Sequence, residues 1–104
     1  MASILVIEDE QRIREELATR LSERGHHVES TSTAMDGVHL AVSGVHDVVV
    51  LDLGLPDLDG EEALRMIRAV SQIPVVVATA RDDEADIISV LDAGADDYVV
   101  KPYS

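Results

Sequence analysis

Four points along the chain carry residues with a chemistry to offer: Glu8-Asp9-Glu10, Asp52, Thr79 and Lys101. Each follows a short apolar run. If the first two lie side by side, several negative charges fall within a few ångströms, which is costly unless a cation is present. An all-oxygen donor set with room for water suits Mg²⁺ (or Mn²⁺) better than zinc. Lys101 adds a compact positive charge and Thr79 a hydroxyl donor. Together they describe a phosphoryl-transfer site: Asp52 as carboxylate nucleophile, a metal held beside it, a cation, and a donor for the equatorial oxygens. No general base is needed, because an ordinary aspartate is already ionised at neutral pH. Singly, each residue has a structural explanation as a turn former, a first-turn helix acid, a helix cap or a solvated strand end. Their joint order and spacing favour the chemical reading.

Such groups work only if a scaffold brings their segments to one edge. Five apolar runs alternate with amphipathic stretches: Ile4–Ile7, a weak run around Val28, Val48–Leu51, Pro74–Ala78 and Tyr98–Val100. Runs one, three and four are continuous and rich in β-branched residues, as in parallel strands covered on both faces. Between them, Ile13, Leu17 and Leu21 repeat at helical spacing, with Gly25 placed to end that helix. Thr33 is placed to cap a second helix running to about Ser43, with Gly44 after it. Leu64, Ile67 and Val70 mark one face of a third, opened by Asp59-Gly60-Glu61-Glu62, whose acids suit a positive helix start. Ile88 and Leu91 line a fourth, from about Asp83 to Ala93, stopped by Gly94. This β-α repeat predicts a doubly wound α/β fold with a parallel sheet. In such sheets the working site lies outside the carboxyl ends of the strands, where all four segments fall.

Composition narrows the field further. A chain of 104 residues supports one domain, spanning 1–104, with a modest core. The absence of cysteine excludes a disulfide scaffold, a thiol nucleophile and a thiolate metal site. Eight Lys plus Arg against 21 Asp plus Glu leave a formal charge of −13, which repels a polyanion such as DNA over most of the surface. No apolar run approaches a membrane span, and the N-terminus lacks signal-peptide character, so a soluble, cytoplasmic chain is expected. His26, His27, His39 and His46 form no metal spacing and read as surface or strand-start residues. The chain stops at Ser104, just after the fifth strand. The expectation is a fragment that lacks its last helix and exposes part of one sheet face.

Taken together, Ile4-Leu5-Val6-Ile7-Glu8-Asp9-Glu10, the stretch from Val48 to Gly60 (with Asp52-Leu53-Gly54-Leu55-Pro56-Asp57 at its centre), Ala78-Thr79-Ala80-Arg81 and Gly94-Ala95-Asp96-Asp97-Tyr98-Val99-Val100-Lys101-Pro102 resemble a response-regulator receiver domain of bacterial two-component signalling. The last block is most similar to the OmpR/PhoB-type transcription factors, in which a receiver precedes a winged-helix DNA-binding domain, absent here. The resemblance covers essentially the whole chain and implies a five-stranded sheet in the order 2-1-3-4-5. It implies that Asp52 accepts a phosphoryl group from a sensor histidine kinase. Asp9 and Asp52 ligate Mg²⁺ directly, Glu8 through water, and Gly54 through its backbone carbonyl. Thr79, Ala80 and Lys101 contact the phosphoryl group, Thr79 and Tyr98 switch, and the Lys101-Pro102 peptide is cis. Ile88, Leu91, Asp96 and Asp97 lie on the face of a phosphorylation-dependent homodimer. DNA is reached only through the output domain, and no membrane is involved. The activity is that of a switch, not an enzyme, limited to its own phosphorylation and slow hydrolysis; the charge added, about −1.5 to −2, is enough to bias a two-state equilibrium.

Three features depart from the family pattern. Gly54 stands where a larger side chain is common, which is expected to alter the lifetime of the phosphorylated state. Ile87 replaces a basic residue of the dimer face, and the final helix of that face is missing. Competing readings fit less well. A haloacid-dehalogenase-type phosphatase needs a second acid two residues after the nucleophile, where Gly54 stands. A flavodoxin-like cofactor binder needs a phosphate cradle after the first strand, where Glu8-Asp9-Glu10 stands instead. A degenerate receiver that serves only for docking is the remaining alternative.

Overall fold

A computed structural model describes residues 1–101 of the chain. Strands and helices alternate: β1 (Ser3–Ile7), α1 (Gln11–Glu23), β2 (His27–Thr31), α2 (Ala34–Ala41), β3 (Val48–Leu51), α3 (Gly60–Arg68), β4 (Val75–Thr79), α4 (Glu84–Asp92) and β5 (Asp97–Val100). All strand pairings are parallel, and the order is β2-β1-β3-β4-β5. The chain therefore winds outward in both directions from β1 and β3, and the crevice of the fold opens at their carboxyl ends.

The two faces of the sheet are unequal. Leu5, Ile7, Val49, Leu51, Val75 and Val77 point to one side and pack against Ala34, Val38 and Ala41 of α2, Ala63, Leu64 and Ile67 of α3, and Val90 of α4. These side chains form the core, and their burial is the main favourable term in holding the fold. The other side carries α1, which contacts β1 and β2 and has no fully buried residue. There Ile4 and Val6 are buried, whereas Val48, Val50, Val76 and Val99 are only half-covered.

Helix ends follow local chemistry. Thr33 accepts the Asp36 N–H, Asp59 the Glu61 N–H, and Asp83 the Ala85 N–H, each satisfying a donor that the first helical turn leaves free. Gly25 and Gly94 follow α1 and α4 with φ of 91° and 115°, a left-handed conformation that glycine adopts without strain. Asp57, in the β3–α3 connection, accepts the N–H groups of both Ala34 and Met35 and so caps α2 from another element. Those two bonds hold its carboxyl below the ordinary aspartate value of 3.8.

Several sequence expectations need correction. The second helix ends at Ala41, two residues before Ser43, because Val42 already serves as its C-cap. Val70 lies beyond α3 and is 72% exposed, so it belongs to the following turn and not to the buried face. On α4 the buried residue is Val90; Ile88 and Leu91 face solvent. Burial alternates along β3, where the α1 side is incompletely covered. His46 stands just ahead of β3 but is buried, its Nε2 2.8 Å from Glu29 Oε1.

Gly60 ties this scaffold to the carboxyl edge. Its N–H donates to the Leu53 carbonyl at 2.8 Å, and a Cβ on it would collide with the Asp52 carbonyl oxygen and Leu53 Cα. Gly60→Ala forces backbone to move and is expected to cost about 1–3 kcal/mol, read as a lower urea midpoint at unchanged slope. Asp57 gives a pH-dependent test. Its folded value is depressed, so its contribution is present above 3.8 and fades as pH falls through the folded value. Asp57→Ala should lower the thermal midpoint at neutral pH, with the difference from the parent shrinking in acid.

Candidate functional site

The sheet itself assembles the site. Ile7 pairs with Leu51, so the next residues, Glu8 and Asp52, emerge side by side from adjacent strands. Their backbones extend the ladders: Glu8 N–H donates to Thr31 O and Asp52 N–H to Ile7 O, both at 3.0 Å. Lys101 follows β5 and its N–H donates to Thr79 O at 2.8 Å, which fixes it beside the end of β4. Glu8, Asp52 and Thr79 are buried, with 3%, 8% and 2% exposure, and Asp9 is exposed at the mouth.

Carboxylate oxygens of Glu8, Asp9 and Asp52 lie within 4.8 Å of one another. The Lys101 ammonium reaches into this group, 2.5 Å from Glu8 Oε1 and 3.5 Å from Asp52 Oδ2. Three carboxylates against one ammonium leave an excess of negative charge. A like pair about 4 Å apart repels by roughly 4 kcal/mol at intermediate dielectric, so the cluster favours a bound cation. The donors are all hard oxygens and one is open to water, a set that could hold a small divalent ion. Burial pushes the Glu8 carboxyl above its ordinary value; Lys101 and the Glu10 N–H oppose the rise, and the nearby Asp52 adds to it.

The surrounding residues set the shape. Gly54 is exposed, and a Cβ on it would meet nothing within 4 Å. The Thr79 hydroxyl accepts the Arg81 N–H at 3.4 Å, and Ala80 between them is exposed. Tyr98 is half-buried and donates its hydroxyl to the Arg81 carbonyl at 2.9 Å. Burial raises its phenol above the ordinary value, so it remains a donor across the neutral range. Of the remaining sequence candidates, Ile88 and Leu91 of α4, Asp96 just before β5 and Asp97 at its start are all exposed. The Asp96 carboxylate is occupied by Arg68 and the Val75 N–H, and that of Asp97 accepts the Tyr98 N–H. The Lys101-Pro102 peptide involves a residue outside those described.

Three contributors went unnoticed in the sequence. Arg14 donates to the Glu8 and Asp9 carbonyls at 2.9 and 3.2 Å and pins the acidic turn. Arg81 pairs with Asp59, and Asp57 holds the β3–α3 connection to α2. Arg14 could have been suspected as a cation one turn into the helix that follows the acids. Arg81 and Asp57 sit inside the quoted motif segments, yet their partners are distant in sequence and nothing local names them.

Comparison with known proteins decides the family. The model for the response regulator receiver domain matches residues 4–104. The chain belongs to that family. This receiver is 47% identical over 103 residues to the KDP operon transcriptional regulatory protein KdpE of Escherichia coli K12, covering 99% of the chain and 46% of the relative. It is 44% identical over 102 residues to the transcriptional regulatory protein AfsQ1 of Streptomyces coelicolor, covering 98% of the chain and 45% of the relative. Among solved structures, a two-component response regulator from Clostridium difficile superposes with a TM-score of 0.94 at 27% identity, covering 100% of this chain and 86% of that one. The receiver thus spans about half the length of the curated relatives it matches, and those relatives are transcriptional regulators. Among the described residues, no helix is long and apolar enough to cross a membrane.

The charge arrangement predicts a titration. Lys101 is the cation that restrains Glu8, so Lys101→Ala removes the largest lowering influence and leaves burial, the dominant cause, opposed only by the Glu10 N–H and reinforced by Asp52. A carbon-detected NMR titration in metal-free buffer should show Glu8 protonating at higher pH in the variant. An unchanged midpoint would remove Lys101 from the electrostatics of the site.

Proposed function

We propose that the chain is the phosphoacceptor switch of a two-component transcription regulator. The observation that carries this reading is the convergence of Glu8, Asp9 and Asp52 around the Lys101 ammonium, with Thr79 alongside, at the carboxyl ends of the central strands. An Asp52 carboxylate oxygen attacks the phosphorus of a phosphohistidine on a sensor kinase. The new O–P bond forms as the P–N bond breaks, and the imidazole leaves as a neutral ring because its other nitrogen already carries a proton. The product is an acyl phosphate on Asp52. Its loose transition state asks mainly for positioning and charge neutralisation, which suits a site with no base.

Asp9 and Asp52, Glu8 through water and the Gly54 carbonyl would hold Mg²⁺ (or Mn²⁺), which would supply the neutralising charge; the all-oxygen donor set fits such an ion. Lys101 and the Ala80 backbone meet the transferred oxygens, and the Thr79 hydroxyl donates to them. Tyr98 follows inward. The open space over Gly54 admits water and sets the lifetime of the acyl phosphate. Ile88 and Leu91, 52% and 41% exposed, supply the apolar part of a homodimer face bounded by Asp96 and Asp97, with Ile87 in place of a charge. The output is DNA binding by a separate domain in the longer parent protein, in the cytoplasm.

The test is intact mass after incubation with acetyl phosphate, with and without Mg²⁺. The expected result is one added PO₃ group that requires the ion and is absent in Asp52→Asn. In Asp9→Asn the modification should need at least about tenfold more Mg²⁺, the usual scale for losing a ligand-sphere partner. A parent chain that takes no phosphoryl group under any ion condition would favour the docking-only alternative.

A further inference from the structure

One residue beside the site is bonded through its N–H, its carbonyl and its guanidinium, and no step above accounts for its side chain. The Arg81 N–H donates to the Thr79 hydroxyl, its carbonyl accepts the Tyr98 hydroxyl, and its guanidinium donates to Asp59 Oδ1 and, at 3.4 Å, to the Leu53 carbonyl. Four segments meet at this one residue: the end of β4, β5, the turn that follows Asp52, and the cap of α3. Asp59 is itself committed, since its second oxygen accepts the Glu61 N–H and starts that helix. The far end of the contact is therefore anchored to regular structure, and the near end is anchored to the two residues assigned to switching.

We propose that Arg81 is a positioning residue of the switch, a clasp to Asp59 and Leu53 that holds the β4–α4 connection in its resting arrangement. This rests on the reading of Asp52 as phosphoacceptor and Thr79 as its responding hydroxyl. In the resting arrangement the Thr79 hydroxyl is occupied by the Arg81 N–H. It only accepts in that contact, so its own proton stays available to a group on Asp52, and a shift of the end of β4 toward that group moves the backbone that also carries the Arg81 guanidinium. Moving the connection strains the pair with Asp59 and the bond from Tyr98 together. The clasp thus adds to the free-energy difference between resting and phosphorylated arrangements, and its loss shifts the population toward the latter. The pair is partly exposed, with side chains 38% and 42% accessible, so its weight is modest and suited to a tunable bias.

Two substitutions open the clasp from opposite ends. Arg81→Gln removes the cation. Asp59→Asn removes the charge while retaining a side chain that caps α3 equally well. In unphosphorylated protein, the Thr79 methyl and Tyr98 ring NMR signals should move along one common line in both variants. The double variant should go no further than the larger single change, because both break the same contact. Phosphorylation by acetyl phosphate should quicken by about twofold to fivefold, the range a partly exposed pair allows. Signals that stay put, or effects that simply add, overturn the clasp. The NMR readout requires no phosphoryl transfer, so a parent chain inert to acetyl phosphate would count against the proposed function while the clasp is still decided by the signals.

Discussion

The structure turns on a charge problem at the carboxyl edge of the sheet. Parallel pairing of β1 with β3 obliges Glu8 and Asp52 to leave adjacent strands together, and both are buried. Two desolvated carboxylates side by side are unfavourable by several kcal/mol unless opposite charge reaches them. Lys101 provides part of it from the far edge strand, which means β5 must dock at the right register for the site to exist at all. The pairing of Val76 with Asp97 through Thr79 with Val100 sets that register, and the Lys101 N–H bond to Thr79 continues it one residue further. Strand order, register and charge are in this sense a single constraint.

Much of the remaining architecture protects the loops that carry these groups. The turn after β3 is held from three sides. Gly60 packs its Cα against the Asp52 and Leu53 backbone, Asp57 grips the first N–H groups of α2, and Arg81 reaches the Leu53 carbonyl. The turn after β1 is held by Arg14 through two carbonyls. These contacts use main-chain groups, which leaves the Asp9 and Asp52 carboxylates available for a cation. The core beneath is apolar and densely connected, whereas the edge is polar and tied by individual bonds. Rigidity below and adjustable contacts above are what a conformational switch needs.

The sequence made the repeat, the sheet class and the acidic edge legible because each rests on local pattern. Continuous Val and Ile runs mark buried parallel strands, and an acid directly after such a run has only one edge at which to sit. The starts of α2, α3 and α4 and the stops of α1, α2 and α4 were readable to within two or three residues from Thr33, Asp59, Asp83 and the glycines. What escaped depends on tertiary partners. Val90 and not Ile88 or Leu91 faces the sheet, a difference of one or two positions that a short helix with several apolar residues leaves ambiguous. His46 is buried because Glu29, on a strand that is distant in sequence order, receives its Nε2. Arg14, Arg81 and Asp57 bond mostly to backbone groups, and a carbonyl or N–H leaves no mark in a sequence.

Lys101 is also the group through which the proposed modification would act on this edge. Its ammonium lies closer to Glu8 than to Asp52, so the resting cluster spends most of that charge on the carboxyl that burial pushes up. On the proposed reading, a phosphoryl group on Asp52 adds about 1.5 to 2 negative charges and strong acceptor oxygens within reach of the same ammonium. Lys101 is then shared differently, and a divalent ion at the carboxylates has to cover what Glu8 gives up. A formal charge of −13 draws cations toward the domain as a whole, so what distinguishes this edge is the ammonium already shared between its buried carboxylates. Among the described residues, those bonded to Thr79, Lys101 and the β3–α3 turn are positioned to register it, which is where Arg81 and Tyr98 meet.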